Sequence, residues 1–138
     1  MHSIADKKLY RVIDANFNRA QEGLRVCEDI CRFIYNKKIA TRTYKGIRHQ
    51  LSTVISQLGN VEVIKARDTL GDVGRKSSRP EFRRDNINDV FYANSQRVKE
   101  SIRVLEECLK LFDRKWAETL KDLRYQVYGI EKDIVLRR

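Results

Sequence analysis

Apolar residues recur at intervals of three and four along almost the whole chain, and this spacing most constrains what it can fold into. Leu9, Val12, Ile13, Ala20, Val26, Cys27, Ile30, Phe33 and Ile34 predict one long helix from about Asp6 to Tyr35. Ser3 with Asp6 resembles a capping box at its start. Ile47, Leu51, Val54, Ile55 and Leu58 mark a second helix, stopped by Gly59-Asn60. A third runs through Val90, Val98, Ile102, Leu105, Leu109 and Phe112, with Asn86 and Asp89 as its start signal. A fourth runs through Trp116, Leu120, Leu123, Val127, Ile130 and Ile134. Each stripe is one-sided and needs a neighbour to cover it. Short joins after Tyr35 and Phe112 predict antiparallel pairs. The expectation is all-α: an antiparallel four-helix bundle in one domain spanning 1–138.

The bundle is expected to consist of two copies of one hairpin. NFNRAQEGLRVCED at 16 aligns with NSQRVKESIRVLEE at 94, an offset of 78. Asn16 thereby matches Asn94, Arg19 matches Arg97, Glu22 matches Glu100, and Glu28 matches Glu106. IRHQL at 47 resembles LRYQV at 123, which pairs Arg48 with Arg124. The reading places a first hairpin at 6–58, a functional loop at 59–87 and a second hairpin at 88–136, the two hairpins related by a pseudo-twofold axis. The loop holds Gly71, Gly74 and Pro80 and is rich in arginine. Connections longer than about 12–15 residues are usually functional or disordered.

A net charge of +10 points to an anionic partner or substrate: nucleic acid, an acidic protein or a phosphorylated small molecule. No apolar run approaches the roughly 18 residues of a membrane span, and MHSIADKKLY lacks a signal-peptide core. Cys27, Cys31 and Cys108 fall within helical patterns and read as reduced core thiols of a cytoplasmic protein. Cys27 and Cys31, four residues apart, lack the further Cys or His cluster of a metal site.

On a helical wheel Asn16, Arg19 and Gly23 fall beside Ala20, Val26, Cys27 and Ile30, and Asn94, Arg97 and Ser101 repeat the pattern. A buried arginine is costly unless its donors are paired. Two solutions stand level: Glu22 and Glu100 bond the opposite arginine across the axis, or two converging guanidiniums hold an anion in space left by the small residues at 23 and 101. ARDTLGDVG adds Arg67 for an anion, Asp68 and Asp72 for a hard cation, Thr69 as a hydroxyl, and Gly71 and Gly74 to let backbone N–H groups approach phosphate. An Asp-Gly turn with solvated charges is the plainer account of the same string. GDVGRKSS fails the Walker A spacing.

DANFNRAQEGLRVCEDICRF, IRHQL, ARDTLGDVG and the second-copy run from Ala93 to Glu107 together resemble the small hydroxymethylpyrimidine-phosphate kinases of thiamine biosynthesis. These occur alone or fused in front of thiamine-phosphate synthase, and the likeness runs from about Tyr10 to Glu131. The chain stops where the synthase of a fusion would begin, as expected of the stand-alone form. The family pattern often has leucine where Phe17 stands and Ala-Leu where Ser101-Ile102 stand. The resemblance implies ATP-dependent phosphorylation of the pyrimidine monophosphate, with Mg²⁺. At the positions that match the family motifs, we expect Arg19 and Arg97 as phosphate clamps, Asn16 and Asn94 as orienting amides, and Arg67 as a third cation. Asp68 and Asp72 would hold Mg²⁺, and Glu22 and Glu100 would orient the arginines or meet the pyrimidine amine. Arg48 would touch ATP, and His49 has no role. Open partners are a second copy of the chain and thiamine-phosphate synthase. The alternatives are a non-catalytic domain docking on that synthase and a basic helical nucleic-acid module, which leaves the Asn/Arg pairs unexplained.

Overall fold

The computed structural model describes residues 4–77 and 82–137, so the start signal on Ser3 and the breaker Pro80 lie outside it. All regular structure among the described residues is helical: α1 (Ile4–Asp29), α2 (Lys38–Ser56), α3 (Asn60–Lys65), α4 (Ile87–Leu109) and α5 (Arg114–Arg137). None of these helices is long and apolar enough to cross a membrane. α1 packs on α2, α3 and α4, while α5 packs on α4 and α2, so the four long helices close a ring around one core. Ile13, Leu24, Ile47, Leu51, Ile102 and Leu123 are fully buried in it.

Local chemistry sets the ends. α1 loosens into a π turn over Ile30–Ile34, where the Tyr35 N–H reaches the Ile30 carbonyl at 2.9 Å. Asn36 then turns the chain with φ of 53°, a left-handed conformation that asparagine tolerates. Three residues, Tyr35 to Lys37, separate the π turn from α2, too few for anything but an antiparallel return. The same holds for Lys110–Asp113 between α4 and α5. Asn86 caps α4, its Oδ1 accepting from the Asp89 N–H at 3.0 Å, as its sequence predicts. α2 begins nine residues before Ile47, the first residue of its predicted stripe, because Ala40 and Tyr44 extend the buried face. α3 is an addition: it opens the segment expected to be loop and seats Val63 in the core.

Gly23 permits the closest approach of α1 to α4. A Cβ there would stand 2.7 Å from Val98 Cγ2 and 3.0 Å from the Asn94 carbonyl oxygen. The expected open space for an anion is therefore filled by the neighbouring helix. At the matching place in the second copy, Ser101 is buried, its hydroxyl donating to the Arg97 carbonyl at 2.6 Å. Gly23→Val is expected to destabilise the domain by about 1–3 kcal/mol, the range for overpacking, as read from urea unfolding.

Cys27 and Cys31 are buried and Cys108 is half-buried, in keeping with core thiols. Burial pushes Cys27 well above the ordinary thiol range and Cys31 up to about 11. The folded thiols thus hold their protons where the unfolded ones, near 9.0, release them. Their contribution to stability is complete below pH 9.0 and declines as pH rises toward 11. At pH 8 a thiol reagent is expected to label Cys108 first, reaching Cys27 and Cys31 only on unfolding. Peptide mapping of the labelled protein reads this directly.

Candidate functional site

A cleft of about 720 Å³ runs between the first half of α1 and the segment after α3. Lys8, Arg11, Ala15 and Arg19 follow one another at three and four residues, so one face of α1 forms one wall. Arg67, Asp68, Thr69 and Asp72 form the other. The two walls are clasped by Asp14, which is buried on α1. Its carboxylate accepts from Arg67 Nε at 2.7 Å and from Arg67 Nη2 at 2.7 Å, a bidentate fork. Asn18 Nδ2 adds a bond to Asp14 Oδ1 at 3.2 Å. Hydrogen bonding and then the charge of Asp14 raise the Arg67 guanidinium further above its ordinary value. The arginine stays fully charged, and its side chain remains 43% exposed to the cleft.

Beyond Arg67 the chain is an exposed run of two aspartate-closed turns. Asp68 Oδ1 accepts from the Gly71 N–H at 2.8 Å, and Asp72 Oδ1 from the Gly74 N–H at 2.9 Å. The Gly71 and Gly74 amides expected to approach phosphate are thus taken by the aspartates two and three residues before them.

Of the residues singled out from sequence, Asn16, Arg19, Arg67, Asp68, Thr69 and Asp72 line this one cleft. Arg97, Asn94, Glu22, Glu100 and Arg48 do not line it. Arg19 and Arg97, expected to be buried, are exposed. Both sit at the edge of the apolar stripe, where a long stem carries the guanidinium out to water. Arg19 keeps one long contact, Nη1 to Asn16 Oδ1 at 3.5 Å. Of the two solutions left open by the sequence, the bridges from Glu22 and Glu100 do not form: both are exposed, and Glu100 accepts instead from Gln96 at 3.2 Å. Asn16 and Asn94 do behave alike, each donating to the carbonyl four residues back, Val12 and Val90, at 2.8 Å.

The buried guanidinium–carboxylate pairs are others. Arg48 Nε donates to Glu28 Oε1 at 2.8 Å, and Arg124 Nε to Glu106 Oε2 at 2.9 Å. Arg25 and Arg103 approach the same two carboxylates at 3.3 and 3.7 Å. Arg48 thereby joins α2 to α1. These pairs repeat across the sequence alignment of the two halves. Lys8, Arg11 and Asp14 escaped the sequence reading. Asp14 carried a signal, an acid flanked by Ile13 and Tyr10 inside an apolar stripe.

Similarity to known proteins places the chain in a family. Thiamine-phosphate synthase of Nostoc punctiforme is 41% identical over 128 residues, covering 92% of this chain and 35% of that protein. That of Thermosynechococcus vestitus is 40% identical over 131 residues, 94% of this chain and 36% of the other. That of Rhodopirellula baltica is 34% identical over 138 residues, 99% and 37%. The chain spans about a third of the length of these relatives. No solved structure matches. The ThiD2 family model matches residues 11–133, which takes in most of α1, every cleft residue but Lys8 and both aligned stretches, and the chain belongs to the ThiD2 family.

Proposed function

We propose that this chain acts in thiamine biosynthesis and transfers the γ-phosphoryl group of ATP to hydroxymethylpyrimidine monophosphate, giving the diphosphate and ADP. One observation carries the reading. The stretches most characteristic of the resemblance, DANFNRAQEGLRV and ARDTLGDVG, contribute residues to opposite walls of a single cleft lined by cations and three aspartates, of which Asp14 is taken up by Arg67. We read the surrounding ring of helices as an antiparallel four-helix bundle of two repeated hairpins, with the cleft belonging to the first.

The chemistry asks little of a base. The second pKa of a phosphomonoester lies near 6, so the acceptor is already largely a dianion at neutral pH. Its oxygen forms a bond to the γ-phosphorus as the bond to the ADP oxygen breaks, and ADP leaves with the electron pair. The difficulty is bringing two anions together, and Arg19, Arg11 and Lys8 offer charge for that. Arg67, tethered by Asp14, presents the remaining edge of its guanidinium at a fixed place. No group of three or more candidate ligands for a metal occurs among the described residues. Magnesium does not require such a group, since it keeps several waters and arrives on nucleotide phosphates with one or two protein carboxylates. Asp68 and Asp72 would supply those carboxylates, and the ion would neutralise phosphate charge. Turnover with Mg-ATP and the pyrimidine monophosphate tests the proposal.

A second reading has its own observation: the relatives are named thiamine-phosphate synthases and this chain spans about a third of them. A non-catalytic domain associated with that synthase would bind it and leave ATP unchanged. Co-purification without turnover would favour this reading.

A further inference from the structure

A second groove lies at the other end of α1, where its last turns meet the start of α2. It also measures about 720 Å³, and no apolar side chain lines it. Arg25, Arg32, Lys38, Arg42, Lys45 and Arg48 surround it, with Glu28 as the sole carboxylate. Glu28 is buried and already engaged by Arg25 and Arg48. Among the described residues Lys38, Arg42 and Lys45 form no ion pair, although they repel one another at three- and four-residue spacings along α2.

The internal repeat supplies a control for this concentration of charge. The equivalent groove between α4 and α5 is lined by Glu106, Lys110, Arg114, Ala117, Glu118 and Lys121. Where the first copy has Arg42 the second has Glu118, which pairs with Arg114 at 3.1 Å. Where the first has Lys37 at the head of α2, the second has Asp113 at the head of α5. Asp113 Oδ1 accepts from the N–H groups of Lys115 at 2.7 Å and Trp116 at 3.3 Å. Lys37 provides no side-chain cap, and the first turn of α2 holds no acidic residue. The architecture therefore accepts a neutralised groove and a capped helix, and the first copy has neither.

We propose that this groove binds an oligophosphate: inorganic triphosphate, or the di- or triphosphate tail of a small molecule. Arginine forks and lysines match phosphate oxygens, and the uncapped start of α2 adds N–H donors beside them. The volume is that of a small-ligand site. With no aromatic or apolar wall, a base or sugar finds nothing to rest on, and recognition ends with the phosphates. The midpoints of the two linings lie about 20 Å apart along α1, at 1.5 Å per residue. This site stands whether or not the cleft is a kinase centre.

Calorimetric titration of the full chain with sodium tripolyphosphate, metal-free and at low salt, tests the proposal. Arg42→Glu copies a residue that the second repeat already carries at this place. It is expected to weaken binding about tenfold or more, with unchanged circular dichroism. Arg19→Met, in the cleft, is expected to leave unaltered the affinity read at the groove itself, from the amide shifts of Lys38 to Thr41. A parallel titration with ATP distinguishes the free anion from a nucleotide tail; similar affinities are expected. Amide shifts at Lys38 to Thr41 should accompany saturation. Equal tripolyphosphate binding by wild type and Arg42→Glu would overturn the assignment, as would loss only in Arg19→Met. A short DNA duplex that binds more tightly than triphosphate and is released by Arg42→Glu would overturn it in favour of nucleic acid.

Discussion

Arg19→Met is expected to lower turnover by about two to three orders of magnitude, the usual cost of removing one preorganised donor from a phosphoryl-transfer site. Stability should scarcely change. Arg19 is exposed, forms no ion pair among the described residues, and has one long hydrogen bond, to Asn16 of its own helix at 3.5 Å. That freedom makes it the guanidinium best placed to meet an incoming phosphate. Arg97→Met is the matched control, since Arg97 occupies the same place in the second copy but lies outside the cleft. It should retain most activity. Equal losses at the two positions would mean that the reacting groups are shared between the two halves. Michaelis parameters for both variants, with melting curves alongside, separate these outcomes.

The largest stability effect is expected at Glu106. Its carboxylate is buried, accepts from Arg124 Nε at 2.9 Å, and stands 3.7 Å from Arg103. Removing one member of a buried pair leaves an uncompensated charge, a loss of roughly 3–5 kcal/mol in well-enclosed cases. Arg103 is largely exposed and water can reach it, so Glu106→Ala should cost about 3 kcal/mol, the low end of that range. Most of this comes from Arg124, whose side chain is only 10% exposed. Glu100→Ala, one and a half turns earlier on the same helix, should cost under about 0.5 kcal/mol, as surface substitutions do. Denaturant midpoints at constant m-value provide the measurement. A larger loss at Glu100 than at Glu106 would contradict the pairing.

These contrasts mark where sequence patterning stops being informative. Periodicity located the four long helices, and Asn86 with Asp89 placed the start of α4 correctly. The 78-residue offset anticipated the matched hydrogen bonds of Asn16 and Asn94. A helical wheel, however, gives the angle of a Cα and not the reach of a side chain. Arg19 and Glu28 both lie near the stripe, yet the arginine extends to water and the shorter glutamate stays under α2 with Arg48. Gly23 illustrates the same limit. Its small size reads equally as space for a ligand and as room for a helix, and only the position of Val98 decides. The Arg67–Asp14 clasp joins residues 53 apart, and no local pattern announces a partner at that distance.

Asp68 and Asp72 were legible as candidates, but their turn geometry was not. Each gives one oxygen to a glycine amide, which orients the carboxylate and removes the amide from phosphate contact. A similar economy holds at the basic groove. Its cations were visible only as part of a +10 total until the fold set them beside their neutralised counterparts.

The most direct test is turnover by the purified chain with Mg-ATP and hydroxymethylpyrimidine monophosphate, following products by anion-exchange chromatography. Equal amounts of pyrimidine diphosphate and ADP are expected, and no reaction with the unphosphorylated alcohol, which leaves the cleft's cations unpaired. A folded chain that binds the monophosphate yet forms no diphosphate and releases no ADP would contradict the proposed transfer.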